Sequence, residues 1–177
     1  MKPLWEATRD LHHACEEHPV GAAMASGKPP LDWYADWLAA LESIHSIIDP
    51  DLPSVLWRTD RLTADIDRLG IEPLMLSTIK DYAHQLVSDP QIRAGASYVL
   101  TGAHLMGGEI MRRRLEGYPT AHLEWEDRSA AIAELKKMRE DGDLAEPARA
   151  CFQALLDVMD EILAKRVERA HDGSSIV

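Results

Sequence analysis

The sequence is short of nearly everything that builds β-structure or a covalent scaffold. It has one Phe and only two Cys, Cys15 and Cys151. Two thiols, each inside a helical pattern, exclude a disulfide framework and a cysteine-rich zinc module, and they suit a reducing compartment. Alternating β-branched and aromatic runs are missing, so no strand is expected. No apolar stretch reaches the roughly 20 residues of a membrane span, and the opening MKPLWEATRD lacks a signal-peptide core. Positive charge is scarce too: 19 Lys and Arg stand against 30 Asp and Glu, a formal net charge of −11. That balance disfavours nucleic acid or an anionic membrane as the main partner. A soluble cytoplasmic protein is expected. Its 177 residues, 46% of them hydrophobic, suffice for one buried core and are few for two.

What the chain does have is helical periodicity, punctuated by Pro, Gly and Asp. Helix 1 is expected from about Pro3 to Glu17, ended by His18-Pro19. The small-residue segment GAAMASGKPP reads as a loop. Asp32 reads as the N-cap of a helix carrying Trp33, Trp37, Leu41, Ile44 and Ile48, which DPDLP breaks. Further helices are expected over Ser54–Leu69, closed by Gly70, and from Pro73 to about Val87. Asp89-Pro90, a cap followed by a first-turn proline, opens a helix continuing to Leu115. Two more follow, near Leu123–Glu140 and Glu146–Ala170, separated by DGDL, and the tail from 172 to 177 should fray. Six or seven helices on short loops make an all-α bundle, a single domain over 1–171.

One stretch of that pattern is anomalous. YVLTGAHLMGGEIMRRRL (98–115) places two adjacent glycines inside a long apolar helix, where each costs about 0.5–1 kcal/mol relative to Ala. Helical spacing puts His104, Gly107, Gly108 and Met111 on one stripe. Two readings are open: the glycines permit close helix packing or a kink with His104 in the core, or a planar ligand lies against bare backbone. A ligand of that kind needs an anchor. In LWEATRDLHHACEE, Trp5, Thr8, His12 and Glu16 share a face. Glu16 stands one turn after His12, the spacing at which a carboxylate accepts an imidazole's second N–H and fixes the tautomer of a metal ligand. His13, about 100° further round the helix, reads as a surface residue.

At these residues the chain resembles the heme oxygenases. LWEATRDLHHACEE is similar to that family's first-helix motif, and the resemblance makes His12 the proximal iron ligand with Glu16 as its partner. DPQIRAGASYVLTGAHLMGGEIM resembles the distal helix, including Tyr98 and the Gly107-Gly108 pair. LPSVLWRTDRLTADIDRLG, with Arg61, Leu62, Asp65 and Leu69, resembles the helix after a Pro-containing loop. The likeness runs to about Ile162 and is loose from Gly117 to Leu144. It implies heme sandwiched between the first helix and a Gly-Gly-kinked distal helix, both as cofactor and as substrate. It also implies O2 and electrons from a ferredoxin- or flavodoxin-type reductase system, and cleavage to biliverdin, carbon monoxide and ferrous iron, with a bilin-accepting protein as a possible further partner. His104 occupies the place of the distal aspartate of many animal-type members, and Ala103 that of a Gly. His45 stands where the family often has Tyr, so His104 and His45 are expected to carry a variant proton network. Arg9, Lys136, Lys137 and Arg139 are expected at the heme propionates, as carboxylates are best held by cations, and Phe152 at the pocket. Arg112-Arg113-Arg114, the densest basic run, is a candidate dock for an acidic electron donor.

Three other readings compete. A di-metal carboxylate oxygenase needs Glu-x-x-His on two helices, and Glu42-Ser-Ile-His45 supplies one. A non-catalytic heme carrier would use His12 and the glycine pair as well. A thiaminase-like hydrolase needs a reactive thiol, and Cys15 reads more simply as a helix-face residue.

Overall fold

In the computed structural model the described residues are 4–140 and 143–173, with side chains over 4–139 and 143–165. Among them no strand occurs. The helices are α1 (Leu4–Glu17), α2 (Pro19–Ser26), α3 (Leu31–Ile48), α4 (Thr59–Leu69), α5 (Ser77–Ser88), α6 (Pro90–Gly102), α7 (Gly108–Arg114), α8 (Arg128–Glu140) and α9 (Ala145–Gly173). The last four residues, where most of the expected frayed tail falls, lie outside the described residues.

Several elements differ from expectation for identifiable reasons. GAAMASGKPP is mostly helix: the His18 ring caps α2 by accepting from the Val20 N–H at 3.1 Å, and Gly27 closes it at φ 79°. The missing Cβ of Gly27 also admits the carbonyl of Arg114, whose Nη1 donates to Ala25 O at 2.9 Å. Helix α3 starts one residue before Asp32, with Pro30 at the N-cap, so Asp32 sits in the first turn and accepts from Trp33 N–H. The expected Ser54–Leu69 helix divides into a short 3₁₀ turn, Ser54–Leu56, and α4. Leu76, at the N-cap of α5, has no side chain able to cap. Glu161 of α9 does so across the interface, accepting from the N–H and hydroxyl groups of Ser77 and Thr78 at 2.7–2.9 Å.

The core forms around α3, whose Tyr34, Leu38, Leu41, Ile44 and Ile48 recur at helical spacing and are all buried. Burying a side chain of this size contributes about 1.5–3 kcal/mol. Val158, Met159 and Ile162 of α9 and Ala96, Val99 and Leu100 of α6 complete it. A smaller cluster, Leu56, Leu105 and Ala131, lies under Trp125 and Leu135.

Helix α9 is the floor on which two others stand. α6 packs along it so closely that a Cβ at Gly95 would overlap Pro147. Along α1, Arg149 of α9 donates to Ala7 O at 2.6 Å and pairs with Asp10 at 2.7 and 2.9 Å. α1 and α6 thus share α9 while making little direct contact with each other.

Candidate functional site

The first wall of the site is the outer face of α1. Thr8 turns inward, its hydroxyl donating to Leu4 O at 3.1 Å. His12 is turned outward, its side chain 52% exposed. Its Nδ1 stands 3.6 Å from Glu16 Oε2, an electrostatic contact longer than a hydrogen bond, which leaves the other ring nitrogen free. The Phe152 ring of α9 approaches edge-on, 5.8 Å between centroids, and Cys15 Sγ donates to Phe152 O at 3.8 Å. Burial pushes the Cys15 thiol up to about 11, which removes it as a nucleophile at neutral pH. Arg9 lies over the exposed Trp5 ring at 5.5 Å.

The second wall is the glycine-bearing segment, and it is not one regular helix. Between α6 and α7 the backbone forms a π turn, Ala103–Gly107. A π turn inserts an extra residue into the helical winding, which changes how the stripe around the glycines is oriented. His104 and Gly108 face the interior, so His104 does not sit over the Gly107 face. A Cβ on Gly108 would lie 3.5 Å from Leu123, ordinary contact, and a Cβ on Gly107 would meet nothing within 4 Å. Gly102, one turn after the half-buried Tyr98, is equally open. Met106 and Ile110 beside them are 66% and 56% exposed. Close helix packing therefore explains neither Gly102 nor Gly107.

Behind this wall the inward face carries three buried imidazoles. His104 stacks on His45, centroids 5.2 Å apart at 23°, and meets His122 edge-on at 5.7 Å. His45 Nδ1 bonds Asp49 at 2.9 Å and His122 Nδ1 bonds Asp65 at 2.7 Å. Accepting carboxylates place a proton on each Nδ1. His45 Nε2 and His104 Nδ1 are buried and unpartnered. Burial holds His104 well below the usual histidine range, reinforced by His45, His122 and Arg58. Burial also lowers His45, against the pull of Asp49. For Asp49 and Asp65 burial acts upward, but the bonds they accept outweigh it and both stay acidic. His122 and its partner Asp65 are 57 residues apart; nothing in local spacing signals the pair, beyond one Asp on the otherwise apolar Leu62–Ile66–Leu69 face.

The expected propionate cations are less convergent. Lys136, Lys137 and Arg139 lie exposed on α8, which packs on α6 and the π turn, and Lys137 pairs with Glu134 at 2.6 Å. The basic run is tied up within the chain: Arg112 and Arg113 pair with Glu109 at 3.4 and 3.0 Å, and Arg114 is bonded to α2. Of the Glu42–His45 pair, the histidine is committed to Asp49. No three His, Cys, Asp or Glu side chains among the described residues are grouped to hold a metal ion, and no described helix is long and apolar enough to cross a membrane.

No protein-family model and no curated protein matches the sequence. Solved structures do match the fold. Heme oxygenase from Leptospira interrogans is similar at a TM-score of 0.77 and 18% identity, covering 89% of this chain and 97% of that one. Heme oxygenase-1 of the cyanobacterium Synechocystis, in complex with heme, is similar at 0.77 and 16%, covering 97% and 96%. Heme oxygenase-2 of the same organism, in complex with heme and NO, is similar at 0.72 and 20%, covering 90% and 83%. The chain has the all-α heme oxygenase fold.

Proposed function

We propose that the protein binds heme between α1 and the outer face of the α6–α7 segment and degrades it to biliverdin, carbon monoxide and ferrous iron, using O2 and electrons from an external reductase or ferredoxin. The observation that carries this reading is Gly107. Its open Cβ position has no explanation within the chain, stands beside exposed Met106 and Ile110, and costs helix stability. A flat macrocycle laid on bare backbone accounts for all three.

The residues fit that group. His12 is the proposed iron ligand through the nitrogen turned away from Glu16. Phe152 abuts its ring. Arg9, Lys136, Lys137 and Arg139 are the proposed propionate partners, and Tyr98 lies at the edge of the distal strip. When bound, heme supplies the redox-active iron and the carbon that is oxidised. The chain supplies shielding and protons: Gly102, Ala103 and Gly107 allow close approach, and Gly108 seats the segment on Leu123. His104 Nδ1 and His45 Nε2, buried and unpartnered behind that wall, are the proposed sites at which a buried water would take up and release protons. This network favours an enzyme over a heme carrier, which has no use for protons.

A hemin titration followed by a ferredoxin–reductase system under air tests the reading. A stoichiometric Soret band that decays to biliverdin absorbance supports it. A band that persists through reduction leaves a carrier, and no band removes heme. His104→Ala should retain hemin but slow biliverdin formation or divert it to bleaching; unchanged turnover removes His104 from the mechanism.

A further inference from the structure

The segment from 121 to 128 touches both the α4 end of the molecule and the π turn, and nothing in the proposed ligand site itself accounts for how firmly it is held. On one side α4 and the residue before it grip it. Asp65 accepts from the N–H groups of Ala121 and His122 at 3.0 and 2.9 Å and from the His122 ring. Arg58 is buried, lies 3.8 Å over the Trp125 ring, and donates to Glu124 O at 2.6 Å and His122 O at 3.4 Å. Arg61 reaches Glu126 at 2.7 Å.

On the other side the segment meets the π turn at two points and the residue that follows it at a third. Leu123 packs beside Gly108, the residue that follows the turn, at ordinary contact distance. The His122 ring abuts His104. Arg128 Nη2 donates to Leu105 O at 3.0 Å, a carbonyl inside the turn. A π turn holds one residue more than the regular winding and is costly unless its neighbourhood fixes it. A charged donor on its carbonyl is the strongest of the three fixings.

We infer that Arg128 is a positioning residue: with Leu123 it locks the π turn in register and so sets how the Gly107 face is presented to the bound macrocycle. Arg128 touches neither ligand nor iron in this role, and Asp65 and Arg58 are the anchors that make it rigid. The inference rests on the heme reading for its consequence. Its structural part holds in the ligand-free protein.

The test separates the two. Amide hydrogen exchange of the ligand-free protein should show Arg128→Ala accelerating the amides of 105–109 about tenfold, the size expected for losing one charge-assisted hydrogen bond, with 90–100 and 150–162 unchanged. Arg128→Lys, which keeps a cationic donor, should restore most of the protection, and Ser129→Ala on the next residue should change nothing. With hemin and reductant, Arg128→Ala should still bind the ligand but broaden the mixture of biliverdin isomers, and Arg128→Lys should narrow it again. Unchanged exchange at 105–109 in Arg128→Ala, or an isomer mixture identical to wild type despite faster exchange, overturns the inference. Failure of the wild type to bind hemin overturns the heme reading alone and leaves the exchange result standing.

Discussion

The two sides of the α6–α7 segment are built on opposite principles. Behind it, every charged group is paired: Asp65 accepts three bonds, Asp49 is bonded to His45, Arg58 and Thr59, and Arg58 is held by carbonyls and an indole. In front, the chain leaves positions unused. His12 is half exposed, Gly102 and Gly107 face open space, and Met106, Ile110 and Trp5 meet water. Paired buried groups lie at the back and the proposed ligand face at the front, so substitutions on the two sides should fail in different assays.

The sharpest break comes at the back. Asp65→Ala strands the buried His122 N–H, the half-buried Ala121 N–H and an imidazole, and should lower unfolding free energy by about 3–5 kcal/mol in urea titrations. An unchanged midpoint would mean the back is not where stability resides. The mirror image is His12→Ala. Hemin affinity should drop at least a hundredfold, about 3 kcal/mol, while the urea midpoint stays within about 0.5 kcal/mol of wild type. Equal losses in both assays would erase the distinction.

Glu161 extends the comparison to acid. Burial acts to raise its carboxyl, but Lys165 and the Ser77 and Thr78 groups outweigh it and bring the carboxyl from its ordinary 4.5 to about 2. A lowered folded-state value means its stabilisation is complete above the unfolded value and is lost as pH falls from about 5 toward 2. Glu161→Gln should cost about 1–2 kcal/mol at pH 7 and flatten the acid limb of the stability curve, with no change in hemin binding. The smallest effect has the opposite sign. Gly107→Ala should raise the stability of the ligand-free protein by about 0.5–1 kcal/mol and weaken hemin binding; a destabilised variant would return this glycine to packing.

The front was more legible in sequence than the back. His12 and Glu16 sit at i and i+4 on an amphipathic helix, so local geometry alone presents them on one face. The glycine pair announces itself by its cost. What failed was its direction, because the π turn breaks the 3.6-residue winding that was projected through it, and His104 turned inward as a result. Helix α2 was hidden because Gly, Ala and Ser carry little periodic contrast and its cap is a histidine. His122 was unreadable for a different reason: its role depends on Asp65, a pairing that exists only once α4 and the 121–128 segment have met.

Gly107 also makes the protein an instrument for mapping the proposed ligand. A library selected only for thermal survival without hemin should enrich alanine at 102 and 107, since neither site offers steric resistance. The same library selected for hemin consumption should purge it wherever the macrocycle touches. The positions at which the two selections disagree would trace the ligand's footprint along the segment, residue by residue, with no complex needing to be crystallised.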